Sequence, residues 1–199
     1  MNNDTYEKSI IATATNTNKS ENQDFKAEFE TTEFEAMFIA DGLGSYKYAK
    51  LSSERVVNFF LNAVRTTENI SALNLTELFR NAKQKLIEFA NELTTEEEKA
   101  EENLFGTTAI SIIELENKIR IAYVGNGAIW HIRGNFTVFP ASYLFPWNAV
   151  NILNPHTIPE DGKEALYKLI SNNNDLKECI PSIIEIEKDD EFGDIFMIC

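Results

Sequence analysis

Residues 34–44 read Phe-Glu-Ala-Met-Phe-Ile-Ala-Asp-Gly-Leu-Gly. Apolar side chains run nearly unbroken from Phe34 to Ala40, which predicts a strand buried on both faces. The run stops at Asp41-Gly42-Leu43-Gly44, a turn signal that leaves a carboxylate at a strand end. Just upstream, residues 25–30 alternate apolar and polar, as a half-buried strand does. Residues 10–15 read as a further strand leading into the polar segment 16–23.

Two helices follow the turn. Residues 49–64 carry Val56, Val57, Phe60 and Val64 on one stripe. The second helix starts after Asn74, a capping residue with Glu77 three positions on, as in a capping box. Its apolar residues fall at Leu75, Leu78, Phe79, Ala82, Leu86, Phe89, Ala90 and Leu93, a 3-4 spacing that packs one face on a core. The acidic cluster Glu96, Glu97, Glu98, Glu101 and Glu102 reads as a solvated loop or a frayed helix end.

Next come segments 107–115, 119–124, 129–133 and 136–139, separated by short turns, as in an antiparallel meander. On the third of these, Trp130 reads as packing and His131 as surface. Residues 141–158 read as irregular, and 159–170 as a short helix with Pro159 at its first position. Residues 183–186 and 195–199 close the chain as strands. Strands and helices come in blocks rather than alternating. That order predicts a single α+β domain with two antiparallel sheets flanked by helices.

Composition narrows the function. In 199 residues, 32 acidic side chains outnumber 18 basic ones, a formal net charge of −14. Such a charge repels phosphate backbones and anionic lipid, which argues against a nucleic-acid or membrane partner. It also raises the local concentration of cations. Hydrophobic residues make up 43%, enough to bury a core. Cys179 and Cys199 form no disulfide framework, and Cys199 in its apolar run reads as a buried thiol. His131 and His156 stand alone, so no zinc site is suggested. The polar N-terminus lacks the apolar core of a signal peptide, and no apolar run reaches the length of a membrane span. These features predict a soluble protein of the reducing cytoplasm.

Three segments put polar residues at strand ends: 19–24 (Lys-Ser-Glu-Asn-Gln-Asp), 41–44, and Gly125-Asn126-Gly127 together with Gly106-Thr107-Thr108. A strand fixes a terminal carboxylate, and a following glycine lets a backbone carbonyl approach the same hard cation. Taken singly, each is equally a turn.

In this order the segments resemble the metal-dependent protein phosphatase 2C family in its compact bacterial form. The resemblance rests on residues 19–24, 38–44, 106–108, 124–134 and 193–199. It implies a four-layer sandwich, α-β-β-α, and hydrolysis of phosphoserine and phosphothreonine with two Mn²⁺ or Mg²⁺ ions. By position, Asp24, Asp41 and the Gly42 carbonyl would be metal ligands. Lys19 would contact phosphate where the family has an arginine, as a point charge rather than a bidentate fork. Thr107 and Thr108 would support the site from behind. A phosphorylated protein would be the substrate, with a serine/threonine kinase as its counterpart. Leu43 occupies the place of a histidine in animal members, as in bacterial ones.

The sequence also departs from the pattern. Asn126 stands where the family has aspartate, and Gly44-Ser45 where it has two glycines. Two later aspartate ligands would follow Cys199. Two readings therefore arise: a domain truncated at its C-terminus, active in its longer form, or a pseudophosphatase that binds a phosphoprotein or kinase without turnover.

Overall fold

The computed structural model describes residues 21–98, 104–134, 147–173, 175–189 and 193–199. The expected strands at 10–15 and 136–139 lie outside these residues, as does Lys19.

β1 (Asp24–Glu30) and β2 (Glu35–Asp41) form a hairpin in register, Asp24 opposite Asp41 and Glu30 opposite Glu35. The chain then enters α1 (Ala49–Thr66) and α2 (Leu75–Leu93). The Asn74 side chain caps α2, accepting from the N–H groups of Thr76 and Glu77. The Glu77 carboxylate holds Arg80 at 2.6 Å. The expected strand at 107–115 breaks at Thr108 into β3 (Gly106–Thr107) and β4 (Ala109–Glu114). β5 (Lys118–Val124) pairs with β4, but β6 (Ile129–Gly134) crosses to a second sheet and pairs with β7 (Trp147–Asn151), so the expected single meander is split between two sheets. β10 (Ile170–Ser171), β11 (Ser182–Glu187) and β12 (Asp194–Ile198) follow the hairpin described below.

The larger sheet has the order β1-β2-β4-β5-β11 and is antiparallel throughout. The smaller has the order β12-β6-β7, also antiparallel. Alternation along β2 sends Ala36, Phe38 and Ala40 to a core shared with α1 and α2, where Phe60 packs between Phe38 and Phe79 with tilted rings. The opposite face of the larger sheet meets the smaller one through Ile110, Ile112, Ile121, Ile129 and Phe196. The architecture is thus the expected α+β sandwich. Helices cover the outer face of the larger sheet. Among the described residues no helix covers the outer face of the smaller one, where Trp130, Ile195 and Met197 are exposed. No helix among the described residues is long and apolar enough to cross a membrane.

Several local expectations are corrected. Residues 159–170 form no helix: β8 (Thr157–Glu160) and β9 (Lys163–Leu166) pair as a hairpin. Asp161 and Gly162 both have positive φ, 48° and 76°, which suits a tight hairpin turn and not a helix. Residues 147–151, read as irregular, form β7. Trp130 is exposed, while His131 faces inward and stacks on Phe196 at 4.8 Å. Cys199 is exposed, whereas Cys179 is buried. The acidic cluster is less loose than expected at Glu98, which accepts from Lys47, Tyr48 and Thr95.

Candidate functional site

The register of the first hairpin brings Asp24 directly opposite Asp41. Directly opposed residues project to the same face, with Cβ atoms about 5 Å apart. That face is the one that carries Ile39 towards the smaller sheet, so both carboxylates stand at the open end of the sandwich. Both residues are exposed. Like charges so placed repel each other.

The backbone around them is fixed by neighbouring strands and by α1. The Gly42 N–H donates to the Gln23 carbonyl at 3.1 Å. That carbonyl also accepts from the buried Ser53 hydroxyl at 2.6 Å. A Cβ on Gly42 would lie 2.3 Å from the Ala49 carbonyl oxygen, so only glycine lets the turn press on the start of α1. The Asp41 carbonyl accepts from the Thr108 N–H at 2.9 Å and from the Thr107 hydroxyl at 2.9 Å. The Asp41 N–H donates to Thr108 Oγ1 at 3.2 Å. The Gly106 N–H donates to Ser52 Oγ at 3.0 Å, and its carbonyl accepts from the Leu43 N–H. The two threonines thus hold the Asp41 backbone in place.

At the same end, residues 125–128 carry the chain from β5 in the larger sheet to β6 in the smaller. Asn126 is exposed at that turn. The turn is tied to the end of β12 by a pair of bonds between Ala128 and Cys199, at 2.7 and 3.1 Å.

Sequence reading placed Asp24, Asp41 and Gly42 together, and they do meet. It missed Ser52 and Ser53, whose only signal is two small polar residues on the apolar stripe of α1. It also missed His156, which the fold brings to Gly125 across 31 positions.

Two carboxylates and a backbone carbonyl are hard oxygen donors of the kind Mg²⁺ or Mn²⁺ takes, with water completing the shell. They fit one such ion. No group of three or more His, Cys, Asp or Glu side chains suited to a metal occurs among the described residues, so these residues provide no second set of ligands. A cavity of about 410 Å³ adjoins Gln23 and is lined by Glu21, Lys47, Lys50 and Glu54. A larger one, about 520 Å³, lies at the far end of the sandwich around Glu33, Glu68 and Glu114. It is remote from the carboxylate pair, and the convergent chemistry, not the size, marks the site.

Residues 13–143 match the family described as Protein phosphatase 2C. No curated protein sequence matches the chain. Among solved structures, the chain is similar to the serine/threonine phosphatase Stp1 from Staphylococcus aureus, with a TM-score of 0.69 at 17% identity over 93% of this chain and 72% of that one. It is also similar to the serine/threonine phosphatase of S. agalactiae, with a TM-score of 0.66 at 17% identity over 90% and 73%. The catalytic domain of the phosphatase PstP, solved in complex with two manganese ions, gives 0.57 at 16% identity over 90% and 71%. These likenesses show a shared fold. Together with a family match over more than half its length, they place the chain in the protein phosphatase 2C family.

Proposed function

We propose that the protein is a metal-dependent phosphatase acting on phosphoserine and phosphothreonine in protein substrates. The observation that carries this reading is the cross-strand pair Asp24 and Asp41, opposed at the open end of the sandwich beside Gly42. A divalent cation between the carboxylates would relieve their repulsion. Asp24, Asp41 and the Gly42 carbonyl are the proposed ligands, and Lys19 the proposed phosphate contact. When bound, Mn²⁺ or Mg²⁺ supplies charge neutralisation at phosphoryl oxygens and activation of water. The chain's own part is positional. Thr107 and Thr108 hold the Asp41 backbone, and Ser53 holds the Gln23 carbonyl next to Asp24. The carboxylates therefore need little rearrangement when charge develops. A phosphorylated protein is the substrate this reading implies, and a serine/threonine kinase its counterpart.

The test is release of phosphate from a phosphothreonine peptide by the 199-residue chain in Mn²⁺. Turnover that disappears with chelator, and falls at least about a hundredfold in Asp41→Asn, is expected. Turnover indifferent to both overturns the proposal. Two observations favour a second reading, a phosphopeptide-binding module without turnover: Asn126 stands in the family's aspartate position, and no third acidic ligand joins the pair among the described residues. Peptide binding with no phosphate release would select it.

A further inference from the structure

His156 takes no part in the site proposed above, yet the fold ties it to that site. The residue is buried, 2% exposed. The Gly125 N–H donates to its Nδ1 at 3.2 Å. That bond leaves the lone pair on Nδ1 and the proton on Nε2, which donates to Ser182 Oγ at 2.8 Å. With Nε2 as donor, the pair is not a base activating a serine nucleophile. The His156 N–H donates to the Gly125 carbonyl at 2.9 Å, closing a second bond between the same two residues. Tyr123 stacks on the ring at 5.0 Å, and Tyr167 meets it edge-on at 5.6 Å. Ring position and tautomer are therefore both fixed.

Gly125, the residue His156 grips, has φ of +114°. A Cβ there would lie 2.5 Å from Cβ and Cγ2 of Thr108, so the turn is pressed against that side chain. Thr108 in turn bonds both the N–H and the carbonyl of Asp41. Each link is a hydrogen bond or a close contact within packed strands, where a displacement of one member is passed to the next.

We propose that His156 is a positioning residue for Asp41, acting through Gly125 and Thr108. The Nδ1 lone pair sets the place of the 125–128 turn. The turn sets Thr108, and Thr108 sets the backbone from which the Asp41 carboxylate projects. The functional meaning rests on the reading of Asp41 as a metal ligand, whereas the relay itself is a property of the ion-free protein.

Two variants separate positioning from packing. His156→Asn keeps an acceptor near the Nδ1 place, and His156→Gln keeps a donor near the Nε2 place. Both lose the ring stacked on Tyr123, so their difference sets loss of the Gly125 bond against loss of the Ser182 bond. Amide hydrogen exchange at Gly125, Thr108 and Asp41, measured without metal, is expected to quicken about tenfold in the Gln variant relative to the Asn variant. Mn²⁺ affinity is expected to fall severalfold in the Gln variant and to be largely kept in the Asn variant. Equal behaviour of the two overturns the relay. If the parent binds no Mn²⁺, the ligand reading of Asp41 fails and the exchange rates alone decide the relay. The parent offers a check that needs no variant: imidazole ¹⁵N shifts are expected to report an unprotonated Nδ1, and a protonated Nδ1 overturns the proposal.

Discussion

His156 also carries a pH dependence that belongs to the residue itself. Burial pushes its imidazole down from 6.5 to about 4, and the charge of Lys168 acts in the same direction. Between those values the unfolded chain binds a proton that the folded chain does not. The contribution is therefore complete above about 6.5 and shrinks as pH falls towards about 4. Its ceiling is roughly 3 kcal/mol, of which about 2 kcal/mol is lost by about pH 5. Unfolding free energies from urea melts of the parent at about pH 7 and about pH 5 are expected to differ by that amount, and those of His156→Phe to differ by much less. A variant that keeps the parent's slope overturns the assignment of the slope to this imidazole. Nothing in the sequence around residue 156 pointed to this role. A lone histidine between a proline and a threonine gains its partners only when β5 and β11 come together around it.

Strands and helices differ in what their patterns disclose. The 3-4 spacing after Asn74 sets which side of α2 is apolar, and the helix follows it closely. Even there Lys83, a charged residue, is fully buried inside that arc, because Ser171 and Asn173 oxygens receive its ammonium group. Alternation on a strand shows only that neighbours face opposite ways, not which way is inward. The size of Trp130 suggested the core. The structure instead turns His131 inward, where Asp194 meets Nε2 at 2.6 Å and Phe196 stacks on the ring. At residues 159–170 two signals competed, Pro159 as a helix start and Asp161-Gly162 as a hairpin turn, and the positive φ pair prevailed. The pairing of Asp24 with Asp41 became legible only through the order of several motifs, since neither aspartate alone differs from a turn residue. The same alternation yields a prediction. Met197, on the outer face of β12, is 53% exposed, and Met197→Lys is expected to change stability by less than about 0.5 kcal/mol. Ile129 on β6 lies between the sheets with no exposure, and Ile129→Ala is expected to cost about 2–5 kcal/mol. Denaturant melts of the two variants decide it, and comparable losses would mean that the outer face is covered in solution.

At the scale of the whole molecule, one quantity acts on folding and on the proposed site with opposite signs. The formal net charge of −14 makes the folded chain repel itself, and screening should relieve that repulsion. The same negative field draws divalent cations towards the carboxylate pair, and screening should weaken that attraction. Raising sodium chloride from about 0.01 M to about 0.1 M shortens the screening length from about 30 Å to about 10 Å. At the longer length, charges across the molecule reach the site. At the shorter one, mainly its immediate neighbours do. The ion-free protein is therefore expected to melt at a higher temperature in the higher salt, while its Mn²⁺ affinity falls severalfold. Thermal melts and calorimetric titrations over the same salt series test both halves. If affinity and stability rise together, the long-range field does not govern ion capture, and Mn²⁺ binding follows from local order at Asp24 and Asp41, as tightening of the fold would supply. If stability rises and affinity falls, the excess of acidic over basic side chains serves the proposed metal site directly, at a cost to the compactness of the chain.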